Sequence, residues 1–408
     1  MVNINLCFRV DCPVLLNDFT VFDIGKNSEY FDSPKKRFSD FANNCLHANG
    51  LILRKLEENL NLRVSYALSG SAIDVFEKNF PEVIKSFRKI AKTGNAEFLA
   101  MPYFSQLSCL YSKNEFEEQV KIHSQKIKQL FGFQTKFFFA DTGLTKDLIK
   151  NIEKIKLKGI LAKDSFHNNN HIYKLNGSKI KIILKNSYLS SCINQQFSNI
   201  NWKEWPLTSE KYAGWINREG FQAECINLVI DYDSFGIRHP KSSRIFSLFA
   251  ELPEELLKNP ANMFRTPSEL ADLYKSQNKF NPQKQIKKIS GGRLQINALE
   301  KIYSLESGIK KAENSTLNAW RNLQHPSIIS SLSKNKNPQE SYENYIRLSN
   351  ILEDLRHKIG KIPEKTPKKH VIKQKNQNEK INKDQIKRIY AETQEEIIRN
   401  LKEVYKFG

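Results

Sequence analysis

Apolar residues gather in seven short runs, at 3–10, 62–68, 96–101, 136–141, 159–164, 180–185 and 227–233. Most are bounded by polar or glycine-containing turns, as strands are. Between most of them lie stretches of helical periodicity, at 36–60, 72–93, 115–130 and 145–155, where apolar positions recur every three or four residues. Strand alternating with helix implies parallel pairing through right-handed crossovers. Several runs are apolar almost throughout, as in Phe137-Phe138-Phe139-Ala140, which suits strands covered on both faces. The pattern predicts an α/β fold with a barrel-like domain over residues 1–265. From about Thr266 it becomes helical only. Pro267-Ser268-Glu269 reads as a helix start, and 294–313, 315–323 and 340–359 are amphipathic, so a helical bundle is expected over 266–359. Residues 360–383, rich in Lys, Asn, Gln and Pro, read as a flexible linker. In 384–408, Ile386, Ile389, Tyr390, Ile397, Leu401 and Val404 share one side of a last, basic helix, which either docks on the bundle or pairs with a protein partner.

Composition adds bounds. The 408 residues are 39% hydrophobic and 11% aromatic, enough to build a sizeable core. Met1–Leu6 enters an apolar alternation with no basic segment and long apolar run, so no signal peptide is read. No stretch approaches the roughly 18 apolar residues of a membrane helix, and a cytoplasmic protein is expected. The cysteines, at 7, 12, 45, 109, 192 and 225, are scattered without metal-ligand spacing and read as free thiols. His167 and His171 flank three asparagines, a loop composition that would not align two ligands. No metal or cofactor is therefore expected. The net charge of +20 would attract polyanions, yet no basic cluster is interleaved with stacking aromatics. Nucleic acid is not the expected partner, and Lys368-Lys369 and Lys387-Arg388 read as solvated tail charge.

Chemistry in such a barrel sits at the carboxyl ends of the strands. Those ends carry Asp11, Ser69-Gly70, Met101–Ser105, Asp141–Gly143, Asp164 and Asp231–Gly236. Several stretches there and elsewhere carry a resemblance. They are Phe22–Gly25 with Glu29–Asp32, Ser69-Gly70, Gly94–Ala100, Phe116–Gln119, Glu204-Trp205-Pro206-Leu207-Thr208, Asp231–Gly236, Phe264–Glu269, Ala298–Leu323 and Asn344–Leu355. Taken in order over residues 3–358, the chain resembles glycoside hydrolase family 57, in its two-domain, α-amylase-like branch.

The resemblance implies a (β/α)7 barrel followed by a helical bundle, in agreement with the seven runs counted above. It also implies α-glucans (glycogen, starch or maltooligosaccharides) as substrates, cleaved or transferred with retention, which needs two carboxyl groups. The implied acid/base aspartate matches Asp231. The nucleophile, a glutamate ending strand four, falls on Gly143, which has no side chain to form a glycosyl intermediate. A histidine-glutamine-proline after strand one becomes Asp11-Cys12-Pro13. A glutamate and histidine after strand three become Met101 and Ser105, and an acidic pair becomes Ser191-Cys192. An aspartate and histidine from the bundle become Ser327 and Ile328, and a glutamate is shortened to Asp233.

Losing a nucleophile removes about four to six orders of magnitude of rate. The expectation is therefore a catalytically inactive or nearly inactive family member that keeps α-glucan binding, with Asp11, Trp202, Trp205 and Asp233 as contacts. Two alternatives stand beside it. In one, Asp141 replaces the nucleophile and works with Asp231 in an α-glucan hydrolase or 4-α-glucanotransferase; in the other, the chain is a basic interaction scaffold. Asp141 lies two residues before Gly143, on the same strand face but displaced by roughly 6–7 Å, so it reads either as that substitute or as a loop-capping side chain. Trp202 and Trp205 read equally as sugar platforms and as packing anchors.

Overall fold

The computed structural model describes residues 2–58, 61–141, 143–163, 167–275, 278–282, 292–333 and 337–360. Its strands are β1 (Val2–Val10), β2 (Val64–Leu68), β3 (Ala96–Phe98), β4 (Phe137–Ala140), β5 (Gly159–Ala162), β6 (Ile172–Lys174), β7 (Lys181–Leu184), β8 (Cys225–Asp231), β9 (Asn262–Phe264) and β10 (Asn278–Lys279). One sheet runs β3-β2-β1-β8, with β9 also beside β1, and the other runs β10-β6-β7-β5-β4. Pairing is parallel except between β6 and β7.

The two sheets meet at narrow seams. The Ala100 amide donates to the Phe137 carbonyl at 2.7 Å, and the Phe139 amide returns a bond to Ala100 at 2.8 Å. On the opposite side, the Asn186 amide donates to the Asn227 carbonyl at 2.8 Å. Strands β1, β2, β3, β4, β5, β7 and β8 thus follow one another in ring order, joined at two places by a few hydrogen bonds rather than by full ladders. These seven are the seven apolar runs. β6, β9 and β10 span three residues or fewer and lie outside the apolar runs.

The expected helix over 72–93 divides into Gly70–Asn79 and Pro81–Lys92. Pro81 lacks an amide hydrogen and fits the first turn of a new helix, not the middle of an old one. The bundle contains Arg293–Ser304, Asn314–Leu323, Pro326–Ser331 and Pro338–Gly360, around Trp320, Leu299, Ile302, Leu348, Ile351 and Leu355. Contacts place barrel and bundle in one compact unit, Met1–Ile362. Glu115, fully buried on helix Lys113–Phe131, accepts from Arg321 Nε at 2.8 Å and Nη2 at 3.2 Å and pairs with Lys310, which fastens the barrel to the bundle. The expected linker and last helix lie outside the described residues, apart from Gly360, which ends the bundle's last helix.

Side-chain alternation positions the site. Cys7, Ala67, Phe139, Leu161, Ile183 and Val229 fill the ring's interior as one buried cluster. Two residues further along each strand, the same face carries Arg9, Ser69, Asp141, Lys163, Lys185 and Asp231. An apolar plug therefore supports a layer of five charged residues and one serine at the carboxyl ends of the strands.

Candidate functional site

Arg9 is the centre of that layer. Its guanidinium lies 2.9 Å from Asp141, 3.6 Å from Asp231 and 3.7 Å from Asp11. Burial works against its charge, but Asp141, Asp11 and Asp231 outweigh it and hold the pKa above the ordinary arginine value. Both carboxylates named as a substitute catalytic pair are thus bridged by one cation.

Each partner is held from behind. After β4 ends at Ala140, the Gln106 amide continues the ladder: its Nε2 donates to the Phe139 carbonyl at 2.8 Å, and its Oε1 accepts from the Asp141 amide at 2.7 Å. Asn194 accepts from the Asp231 amide at 3.0 Å and from Ser234 at 3.2 Å, and donates to the Val229 carbonyl at 2.9 Å. Arg238 reaches Asp231 at 3.4 Å and Asp233 at 2.7 Å. Burial pushes the Asp233 carboxyl above its ordinary value despite Arg238, and the neighbouring Asp231 charge adds to the rise.

Asp11 accepts from Ser71 at 3.2 Å and faces His325 Nε2 at 3.7 Å. Burial alone would raise its pKa; His325 and Arg9 outweigh burial and hold it well below the usual carboxylate range. His325 comes from the bundle, at the start of helix Pro326–Ser331. The bundle therefore does present a histidine to the strand ends, three positions before Ile328, where the resemblance put it. Ile328 is buried in the bundle core, and Ser327 donates to the Val14 carbonyl at 2.6 Å and bonds to His325.

Two spaces open at this layer. A cleft of about 440 Å³ is lined by Arg9, Asp11, Arg37, Asp231, Asp233 and Arg238, with apolar walls from Phe38, Phe41 and Ile237. A smaller cavity of about 50 Å³ adjoins it through Arg9 and Asp231 and is bounded by Asp141, Lys163 and Lys185. Asp11, Asp231 and Asp233 border the cleft, and Asp141 and Asp231 border the cavity. Gly143 lies two residues beyond Asp141 in the loop leading to helix Lys146–Lys154. Thr142 and Asp164 are outside the described residues. Trp202 packs on the outer core, edge-on to Trp215 at 6.0 Å, and Trp205 is 47% exposed; neither lines the cleft or the cavity.

Elsewhere, His167 stacks on Phe280 and His171 faces Glu224 at 3.6 Å. All six cysteines are free thiols. Among the described residues, no helix is long and apolar enough to cross a membrane.

The sequence model of glycosyl hydrolase family 57 matches residues 16–287, well over half of the chain. The protein belongs to glycosyl hydrolase family 57.

Among its relatives in sequence, a putative α-amylase of Methanocaldococcus jannaschii is 26% identical over 404 residues, covering 87% of this chain and 84% of that one. Among solved structures, the GH57-type branching enzyme of Pyrococcus horikoshii superposes with a TM-score of 0.59 at 10% identity, covering 85% of this chain and 88% of the enzyme. The α-amylase AmyC of Thermotoga maritima gives 0.57 at 9% identity, with 89% and 98% covered. The 4-α-glucanotransferase of Thermococcus litoralis gives 0.53 at 14% identity over 85% of this chain; this chain spans about half (54%) of that enzyme's length. At such identities the structural likeness speaks for the fold alone.

Three of the stretches that carry the family resemblance make contacts that hold the fold. In the Phe22–Gly25 stretch, the Gly25 amide donates to Asp354 of the bundle at 2.6 Å, and Tyr30 bonds to the same carboxylate. Gly70 follows β2 where an added Cβ would stand 2.2 Å from the Tyr103 carbonyl oxygen, so that turn admits only glycine. Gly236 ends the Asp231–Gly236 motif with φ at +84° and Asn44 against it, a conformation glycine adopts freely. Arg9, Lys185, Gln106, Asn194 and His325 escaped the sequence reading. For Arg9 and Lys185 the signal was present: each lies two positions past an inward-facing residue of its strand.

Proposed function

We propose that this family 57 protein binds α-glucans without cleaving them. The observation that carries the reading is the Arg9 guanidinium spanning Asp141 and Asp231. A retaining reaction needs one carboxylate free to attack the anomeric carbon and another placed to transfer a proton, roughly 5–5.5 Å apart. Here a cation lies between the two available candidates, and Gly143 supplies no attacking atom. Asp231 is further engaged by Arg238, so each of its carboxylate oxygens faces an arginine. The 440 Å³ cleft nonetheless stays open, within the size range of small-ligand sites. Its mixture of aspartates, arginines and apolar walls suits the hydroxyl groups and faces of a sugar.

A second reading, an α-glucan hydrolase or transferase using Asp231 as acid/base with Asp141 opposite, is favoured by one fact: both carboxylates border the same 50 Å³ cavity. Maltooligosaccharide turnover followed by product chromatography, with and without Asp231→Asn, separates the two. The binding reading expects retarded migration in glycogen or starch gels with no released products. Turnover that disappears in Asp231→Asn would overturn it in favour of the second.

A further inference from the structure

We propose that Lys185 is a reactive amine that condenses with the carbonyl carbon of a small hydroxylated aldehyde or ketone in the 50 Å³ cavity. The inference is independent of the glucan-binding reading. Lys185 follows β7 directly, and its backbone amide donates to the Ala162 carbonyl at 2.8 Å, which fixes where its side chain starts. That side chain lines the small cavity together with Arg9, Asp141, Lys163 and Asp231. The five charges do not cancel. Three are positive and two negative, and Arg9 takes both carboxylates in ion pairs. Among the described residues, no acceptor is within hydrogen-bonding or ion-pair distance of the Lys185 ammonium. Burial lowers its pKa; Asp231 and Asp141 oppose this, while Arg9 and Lys163 add to the lowering. A desolvated lysine beside other cations is the usual setting of an amine that forms imines with carbonyl substrates.

The chemistry balances without a further reactant. The nitrogen lone pair attacks the carbonyl carbon and gives a carbinolamine. Loss of that hydroxyl with a proton, as water, leaves a C=N bond where C=O stood. The proton lost by the amine leaves with that hydroxyl in the water released, and hydroxyl groups on the carbonyl compound would meet Asp141, Asp231 and Arg9. A cavity of about 50 Å³ has room for roughly three or four water-sized groups, which limits the carbonyl compound to a few heavy atoms.

The test is reductive trapping on the full chain. The protein is incubated with glycolaldehyde and cyanoborohydride near neutral pH, and modified lysines are quantified by peptide mapping over time. Lys258, exposed beside Glu255 at 2.7 Å, is the internal reference. Lys185 is expected to label at least about tenfold faster than Lys258, and Lys185→Arg should remove the fast phase. Equal labelling of Lys185 and Lys258, or preferential labelling of Lys163, would overturn the proposal. The first comparison needs no variant, so a misfolded mutant cannot obscure it, and the glucan-binding result is read separately by gel retardation.

Discussion

His123 should make the stability of this protein depend on pH within a defined window. It sits fully buried on helix Lys113–Phe131, with Nε2 2.7 Å from the Leu68 carbonyl and Nδ1 accepting from the Met101 amide at 3.4 Å. One nitrogen donates and the other accepts, so the ring is neutral. It ties together the ends of β2 and β3, which wall the charged layer. Burial takes its pKa from 6.5 down to about 4, and the bond to Leu68 only partly opposes this. The unfolded chain therefore binds a proton near pH 6.5, whereas the folded one waits until about pH 4. Unfolded molecules hold more protons across that interval, so stability falls as pH falls through it. At about 1.4 kcal/mol per pH unit, the loss between pH 6.5 and 4 is roughly 3 kcal/mol; above pH 6.5 the contribution is constant. Urea unfolding from pH 8 to pH 4 measures it. His123→Gln keeps a donor toward Leu68 and should cost about 1 kcal/mol at pH 8, but its stability should be flatter by roughly 3 kcal/mol across the window. Parallel stability curves for wild type and variant would refute the reasoning.

Other substitutions test the remaining joints. Glu115→Gln leaves Arg321 buried with only Glu118 as an ionic partner at 2.6 Å, so a loss of about 3 kcal/mol in urea unfolding is expected, toward the lower end for a broken buried pair. Adding Arg321→Met should restore part of that loss, and strict additivity of the two changes would contradict the coupling. Gly70→Ala forces a methyl group against the Tyr103 carbonyl and should cost about 1–3 kcal/mol; an unchanged urea midpoint would show that the turn yields. Gly143→Glu alone should not produce maltooligosaccharide turnover, because Met101, Ser105 and Arg9 do not form the supporting shell a catalytic carboxylate needs. Measurable product from that single change would mean that the shell is intact.

The ring of strands was legible because several runs meet the same physical demand: a strand covered on both faces must be apolar nearly throughout, as Phe137–Ala140 is. The short β6, β9 and β10 gave no such signal, and the helix break before Pro81 needed weight on one residue within a long periodic stretch. At the site, the family resemblance pointed to Asp231, Asp233 and Asp11 through motif positions, and all three border the cleft. Arg9 was hidden because it continues the alternation of Asn3 and Asn5 along β1 and so reads as an ordinary polar position of a strand. Only closure of the ring, which sets Asp141 and Asp231 on either side, turns it into the centre of the layer. His325 was missed for another reason. It stands three residues before Ile328, the position the resemblance singled out, and only the fold shows that Ile328 joins the bundle core while His325 faces Asp11.

The most direct measurement is the mass of the intact protein after mixing with an α-maltosyl fluoride and rapid acid quench, with no reductant present. On the proposed reading, in which Gly143 stands at the nucleophile position and Arg9 lies between Asp141 and Asp231, the mass should stay that of the unmodified chain at every time point. A species heavier by one maltosyl unit, absent in Asp141→Asn, would identify a working nucleophile and contradict the account.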